Sequence, residues 1–366
     1  MSSTVFQRLD EDLMRERLTP PTAPVRLLVD TDTANEIDDQ YALAWALLSP
    51  EHMHVEAVTA EPFSFAHHQA ELIQAEQAME SGHAHDEHLV GSLRGWIQRL
   101  HKQGRRAKDL DFVTPAEGME LSYEEILTVY DKLGINRGGQ IFRGADQYMR
   151  DANTPIMSES VEAIIDLAKS GDEPLYIAAM GCVTNIASAL LKAPEITSDI
   201  VVIWTSAYPS HAPNCNRPSL NLVQDVHASR LLFDCGAPLV YLPGYHVGAQ
   251  LKISLPEMQA FVKGKGAIGN YLHHLYENNP LHEMFAIEDT ARRTWVIWDI
   301  IDIAWLINPE WVPTMLTNSP VLDNELYWKP DPNRHLMLEA HDVQRDEIFR
   351  DFYDKLERAH SSSTAS

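Results

Sequence analysis

A chain of 366 residues with 29 Lys plus Arg against 53 Asp plus Glu carries a formal net charge of −24. A surface of that sign repels phosphate backbones and anionic lipid, so neither nucleic acid nor a membrane is expected as a partner. A small neutral substrate, or a cation held by carboxylates, fits better. Hydrophobic residues at 45% supply a large core, and the three cysteines (Cys182, Cys215, Cys235) form no CxxC pair and favour a reducing compartment.

The N-terminal stretch MSSTVFQRLDEDLMRERL is charged throughout, with no apolar segment of a secretory signal. No run of about 18 uncharged apolar residues follows, so the expected location is cytoplasmic. After LTPPTAP, VRLLVD (25–30) reads as a buried strand, IDDQYALAWALLS as a helix, and HVEAVTA (54–60) as a second strand. The polar stretch from Ser81 to Gly118 interrupts this rhythm and reads as a loop or insertion over one end of the sheet. Alternation resumes with PLYIAAM (174–180) before NIASALLKA, DIVVIWTS (199–206) before DVHASRLLFD, and PLVYLP (238–243). A last helix is expected from about Thr290 to Ile307. Strands alternating with helices predict an α/β fold, a single mostly parallel, doubly wound sheet with helices on both faces. Residues 1–24 read as a polar leader, 25–355 as one domain, and 356–366 as a disordered tail.

Ligands of open α/β sheets bind beyond the carboxyl ends of the strands. Beyond the first strand stands DTDTANEIDD (30–39), four aspartates and a glutamate in ten positions. Helix capping accounts for one or two of these acids. Five crowded together repel one another unless a cation or protons intervene, and all-oxygen ligands select calcium or magnesium over zinc or copper.

DTD followed by IDD resembles the DxDPGxDD signature of the nucleoside hydrolases. MGCVTNIASAL (180–190), SLNLVQD (219–225) and WDIIDIAWLINPEW (298–311) resemble three further segments of that family, in the same order. The resemblance implies Ca²⁺-dependent hydrolysis of the bond between ribose and base in a nucleoside, by a homodimer or homotetramer. It places Asp32 as calcium ligand and proton acceptor, Asp39 and Asp299 as further ligands, and the Met180 main-chain carbonyl completing the shell. Asp38 would hydrogen-bond the ribose hydroxyls. Asn221 would bind the ribose, with Asn216 or Asn214 as a second contact, although a loop Asn also commonly serves as a turn former.

The sequence departs from the family at four places. The aspartate loop is two residues longer, which brings Asn35 or Glu36 within reach of the pocket. Ser219 stands where the family has a ribose-binding Glu, and Glu61 where many members have Asn. Trp298 stands where many members have a proton-donating His; purine-specific members also have Trp there, which favours a purine-like leaving group. A phosphatase of the haloacid-dehalogenase type would need a downstream Lys and a Ser/Thr motif that are not found. Two alternatives stay open: action on a modified nucleoside or other N-riboside, and riboside binding without turnover. The His-rich GHAHDEH (His83, His85, His88) fits no recognised zinc spacing, and KGKGAIGN (263–270) reads as a helix–helix connection.

Overall fold

In the computed structural model, residues 6–22, 24–81, 87–136 and 139–365 are described. Histidines 83 and 85 of the His-rich stretch lie outside them. The first strand, β1 (Val25–Thr31), is followed by β2 (Met53–Ala60), β3 (Ile141–Phe142), β4 (Leu175–Ala179), β5 (Ile200–Ser206) and β6 (Leu239–Pro243). Two later strands, β7 (Thr314–Asn318) and β8 (Leu336–Ala340), complete one eight-stranded sheet in the order β3-β2-β1-β4-β5-β6-β8-β7. Every neighbouring pair is parallel except β7 against β8.

The strands read as continuous apolar runs because a parallel sheet is covered on both faces. Alternate side chains enter opposite cores: Leu27, Val29, Val201 and Ile203 join one, Leu28, Ile177, Val202 and Trp204 the other. The helix after β1, α1 (Asp38–Leu47), is buried almost all round, including Asp38, Asp39 and Gln40 at its start. Its apolar body packs against the helix α2 (Ile300–Ile307) and a helix at Pro115–Leu133.

Four expectations change. Within the stretch from 81 to 118, Glu87–Lys102 and the residues from Pro115 on are helical. His67–Ser81 and Glu87–Lys102 pack as a pair around Leu72, Ala75, Trp96, Ile97 and Leu100, a small core separate from the two that flank the sheet. The helix expected from Thr290 begins only at Ile300, because Thr294–Val296 pairs as an antiparallel ribbon with Lys252–Ser254. The residues taken as a leader contain a helix, Glu11–Arg17, anchored by buried Met14 and followed by buried Leu18. The final helix, Arg345–Ala365, runs through most of the expected tail, since Leu356 is buried with Phe349 and Phe352. Among the described residues no helix is long and apolar enough to cross a membrane.

Candidate active site

β1 delivers Asp30 and Asp32 on either side of Thr31 at the carboxyl edge of the sheet. Ala34 then adopts a left-handed conformation, φ 76°, which turns the chain so that Asn35 and Glu36 face inward before α1 begins. Asp38 and Asp39 occupy the first turn of α1, where the helix dipole favours negative charge. From the far end of the chain comes Asp299, at the N-terminus of α2. Strand β4 ends at Met180 and Gly181. A side chain at Gly181 would put its first carbon 2.9 Å from Asp32 Cγ, so only glycine admits the carboxylate here.

These elements enclose a cavity of about 210 Å³. Asp32, Glu36, Asp38, Asp39 and Asp299 line it, and no Lys or Arg among the described residues does. Oxygens of Asp38, Asp39 and Asp299 lie within 4.8 Å of one another. Asp38 Oδ2 accepts the Trp298 N–H at 3.1 Å, whereas its Oδ1 is buried without a partner. Asp39 accepts the Thr31 hydroxyl, and Asp32 accepts the Asn35 amide at 3.1 Å. Burial, and for most of them the neighbouring carboxylates, push these acids upward: Asp38 to about 6, and Asp32, Glu36, Asp39 and Asp299 further. Such a group cannot ionise together without positive charge in its midst. The orphaned Asp38 oxygen and the all-oxygen donor set fit a hard divalent cation.

The sequence-derived residues divide. Asp32, Asp38, Asp39, Asp299, Met180, Asn221, Ser219 and Trp298 all line the cavity. The tightest carboxylate trio contains Asp38 where the resemblance placed Asp32. Met180 O accepts the Asn221 amide at 2.9 Å, and a carbonyl keeps a second lone pair for another partner. Ser219 Oγ accepts the Ala207 N–H at 2.8 Å, so it braces the wall after β5.

Two candidates stand outside the cavity wall. Asn216 is fully buried; it accepts the Tyr208 N–H at 3.0 Å and donates to Leu326 O at 3.0 Å, tying two loops together. Glu61 lies beneath the site. It accepts the Asn185 N–H at 2.9 Å, and burial, then Asp30 beside it, push its carboxyl well above the usual carboxylate range.

The aromatic lining residues Phe65, His68, Tyr245 and Phe285 escaped the sequence reading. Phe65 meets Phe285 edge-to-face at 6.3 Å, and Tyr245 meets Trp298 at 5.8 Å and 69°. His68 packs against Phe65 and Trp96, and burial followed by the neighbouring His67 drives its pKa down to about 3. The cavity thus has an acidic floor and an aromatic roof.

The chain is an α/β protein with a doubly wound sheet and a carboxylate-floored cavity at its strand ends. The chain belongs to the inosine-uridine preferring nucleoside hydrolase family, whose model matches residues 27–350. It is 29% identical over 161 residues to the non-specific ribonucleoside hydrolases of Salmonella paratyphi B and Salmonella typhi, covering 43% of this chain. The match spans about half of those curated relatives, 48% of their length. Among solved structures, the purine-preferring ribonucleoside hydrolase from Gardnerella vaginalis superposes with a TM-score of 0.59 at 18% identity, covering 92% of this chain and 99% of that one. The inosine-uridine preferring nucleoside hydrolase from Bacillus anthracis gives 0.57 at 13% identity, covering 91% and 99%. These likenesses share the fold.

Proposed function

We propose that the chain hydrolyses the N-glycosidic bond of ribonucleosides, releasing ribose and free base, with Ca²⁺ bound and a purine-like leaving group favoured. The observation that carries this reading is the floor: carboxylate oxygens within 4.8 Å of one another, one of them without a partner, under a cavity of about 210 Å³. Asp38, Asp39 and Asp299, with Asp32 and the Met180 carbonyl beside them, would hold the ion. Bound there, Ca²⁺ supplies a Lewis acid that eases deprotonation of water and fixes hydroxyl oxygens. Asp32, oriented by the Asn35 amide, takes the proton of the attacking water. Asp38 offers its free oxygen to a ribose hydroxyl. The floor as a whole stabilises the positive charge that develops on the sugar at the oxocarbenium-like transition state. Trp298 and Tyr245 receive the base as a flat aromatic group.

The three free cysteines support a reducing, cytoplasmic setting. Association of copies as a homodimer or homotetramer is supported by the family alone. The test is ribose release from purine and pyrimidine ribonucleosides with Ca²⁺, with EDTA, and in Asp32→Ala. Release lost in the variant and with chelator, and faster with purines, is the expected result. No release from any riboside sinks the reading.

A further inference from the structure

The acidic floor answers to the sugar and the water, and it leaves the departing base without a partner at its edge. Asn35 spends its amide on Asp32, Asn221 on Met180 O and Thr205 O, and Tyr245 its hydroxyl proton on Pro218 O. His68 differs. It stands in the first turn of the helix His67–Ser81 and lines the cavity. Its ring lies nearly parallel to Phe65 at 6.4 Å and 20°, and edge-on to Trp96 at 5.6 Å and 77°. Nδ1 is shut from solvent without a hydrogen-bond partner, and no group among the described residues takes the ring's N–H. The ring is thus fixed by stacking, with its hydrogen-bonding capacity unspent.

Burial, followed by His67 with its ring 4.0 Å away, holds this imidazole neutral, with a pKa of about 3. The helix N-terminus acts in the same direction, since it disfavours added positive charge. A neutral imidazole still offers one N–H, and such a ring can steady developing negative charge without giving up its proton. Water adds its oxygen to the anomeric carbon, and its proton passes to Asp32. The carbon–nitrogen bond breaks and its electron pair returns to the base, whose ring nitrogens share the negative charge. The His68 N–H hydrogen-bonds one of these nitrogens or an attached carbonyl oxygen. The base takes a proton from water as it leaves, and Asp32 returns one to water.

We propose that His68 donates a hydrogen bond from its neutral ring to the leaving base, favouring bases that depart as delocalised anions; the proposal rests on the hydrolase reading above. The probes are inosine, whose base needs that help, and p-nitrophenyl riboside, whose phenolate leaves without it. His68→Phe keeps the stack on Phe65 and Trp96 and deletes the N–H, and His68→Gln restores an N–H. The ratio of kcat/KM values, nitrophenyl riboside to inosine, should rise about a hundredfold in His68→Phe and fall back in His68→Gln. An unchanged ratio, with both substrates lowered alike, overturns the proposal and leaves His68 a packing residue. A ratio that moves in Glu36→Gln and stays put in His68→Phe overturns it too, since the donor is then the loop carboxyl. Binding separates the two readings. By calorimetry, inosine should bind Asp32→Asn about tenfold more tightly than the double variant that adds His68→Phe. That difference without turnover of either substrate by the wild type rejects the hydrolase reading and keeps the contact with the base; equal affinities reject the contact.

Discussion

The floor and the roof of the cavity are built by different means. The floor hangs on β1, β4 and the starts of α1 and α2, and it shares the main cores of the sheet. The roof combines residues after β2 with the Met284–Phe285 segment, and much of it rests on the small core of Leu72, Trp96 and Ile97. Chemistry that needs fixed geometry is carried by the sheet, whereas the Phe65, His68 and Phe285 side of the roof leans on a helical pair that can loosen by itself. Local opening of such a satellite core costs less than global unfolding.

The strongest way to break this contrast is at the floor. Asp39→Asn should lower kcat/KM about 10³-fold, the several kcal/mol expected when an ion's grip on the reacting groups is lost. It should also abolish the rise in melting temperature that Ca²⁺ produces, read by calorimetry with and without the ion. A drop shared equally by a roof variant would erase the distinction.

At the roof, Trp96 is 5% exposed, donates its indole N–H to Met284 O at 2.9 Å and meets the Phe285 ring at 4.6 Å. Trp96→Ala should cost the satellite core about 3–5 kcal/mol. The expected readouts are faster proteolysis between residues 67 and 112 and a KM raised about tenfold with kcat less affected. A kcat that falls as far as KM rises would show that roof and floor act as one unit.

The smallest effect concerns the ion-free protein. Asp38 is raised from 3.8 to about 6 chiefly by burial. A carboxyl raised on folding favours the protonated native state, so its destabilising contribution is absent below pH 3.8 and fully present above about 6. Calcium-free protein should therefore lose stability across that window. Asp38→Asn should melt a few degrees higher than wild type at pH 8 without Ca²⁺, and no higher at pH 4. Thermal melts at the two pH values test this; the opposite order would mean the floor carries no repulsion.

The same contrast explains what could be read from the sequence. β1, β4 and β5 were legible because strands buried on both faces are unbroken apolar runs, and the floor because five acids in ten residues have few ordinary explanations. The roof was not. Its apolar residues are scattered over segments around 65, 72, 96 and 285 among charged neighbours, and no local period joins them. Asn216 and Glu61 were misplaced for a related reason. A polar residue beside a motif looks the same whether it faces ligand or fastens a loop, and only the partners Tyr208, Leu326 and Asn185 decide. The helix expected from about Thr290 starts late because the ribbon with Lys252–Ser254 runs to Val296.

Asp38 accepts its hydrogen bond from Trp298, 260 residues away. During synthesis from the N-terminus, the acids of 30–39 therefore wait for 260 residues before the last carboxylate and its neighbouring amide arrive. The entropic penalty for so distant a partner is modest, since each doubling of a loop adds only about 0.6 kcal/mol. Its effect is on timing: a nascent chain that stops short of Asp299 holds the acidic half of the floor alone, and the cavity closes only once the start of α2 has been made.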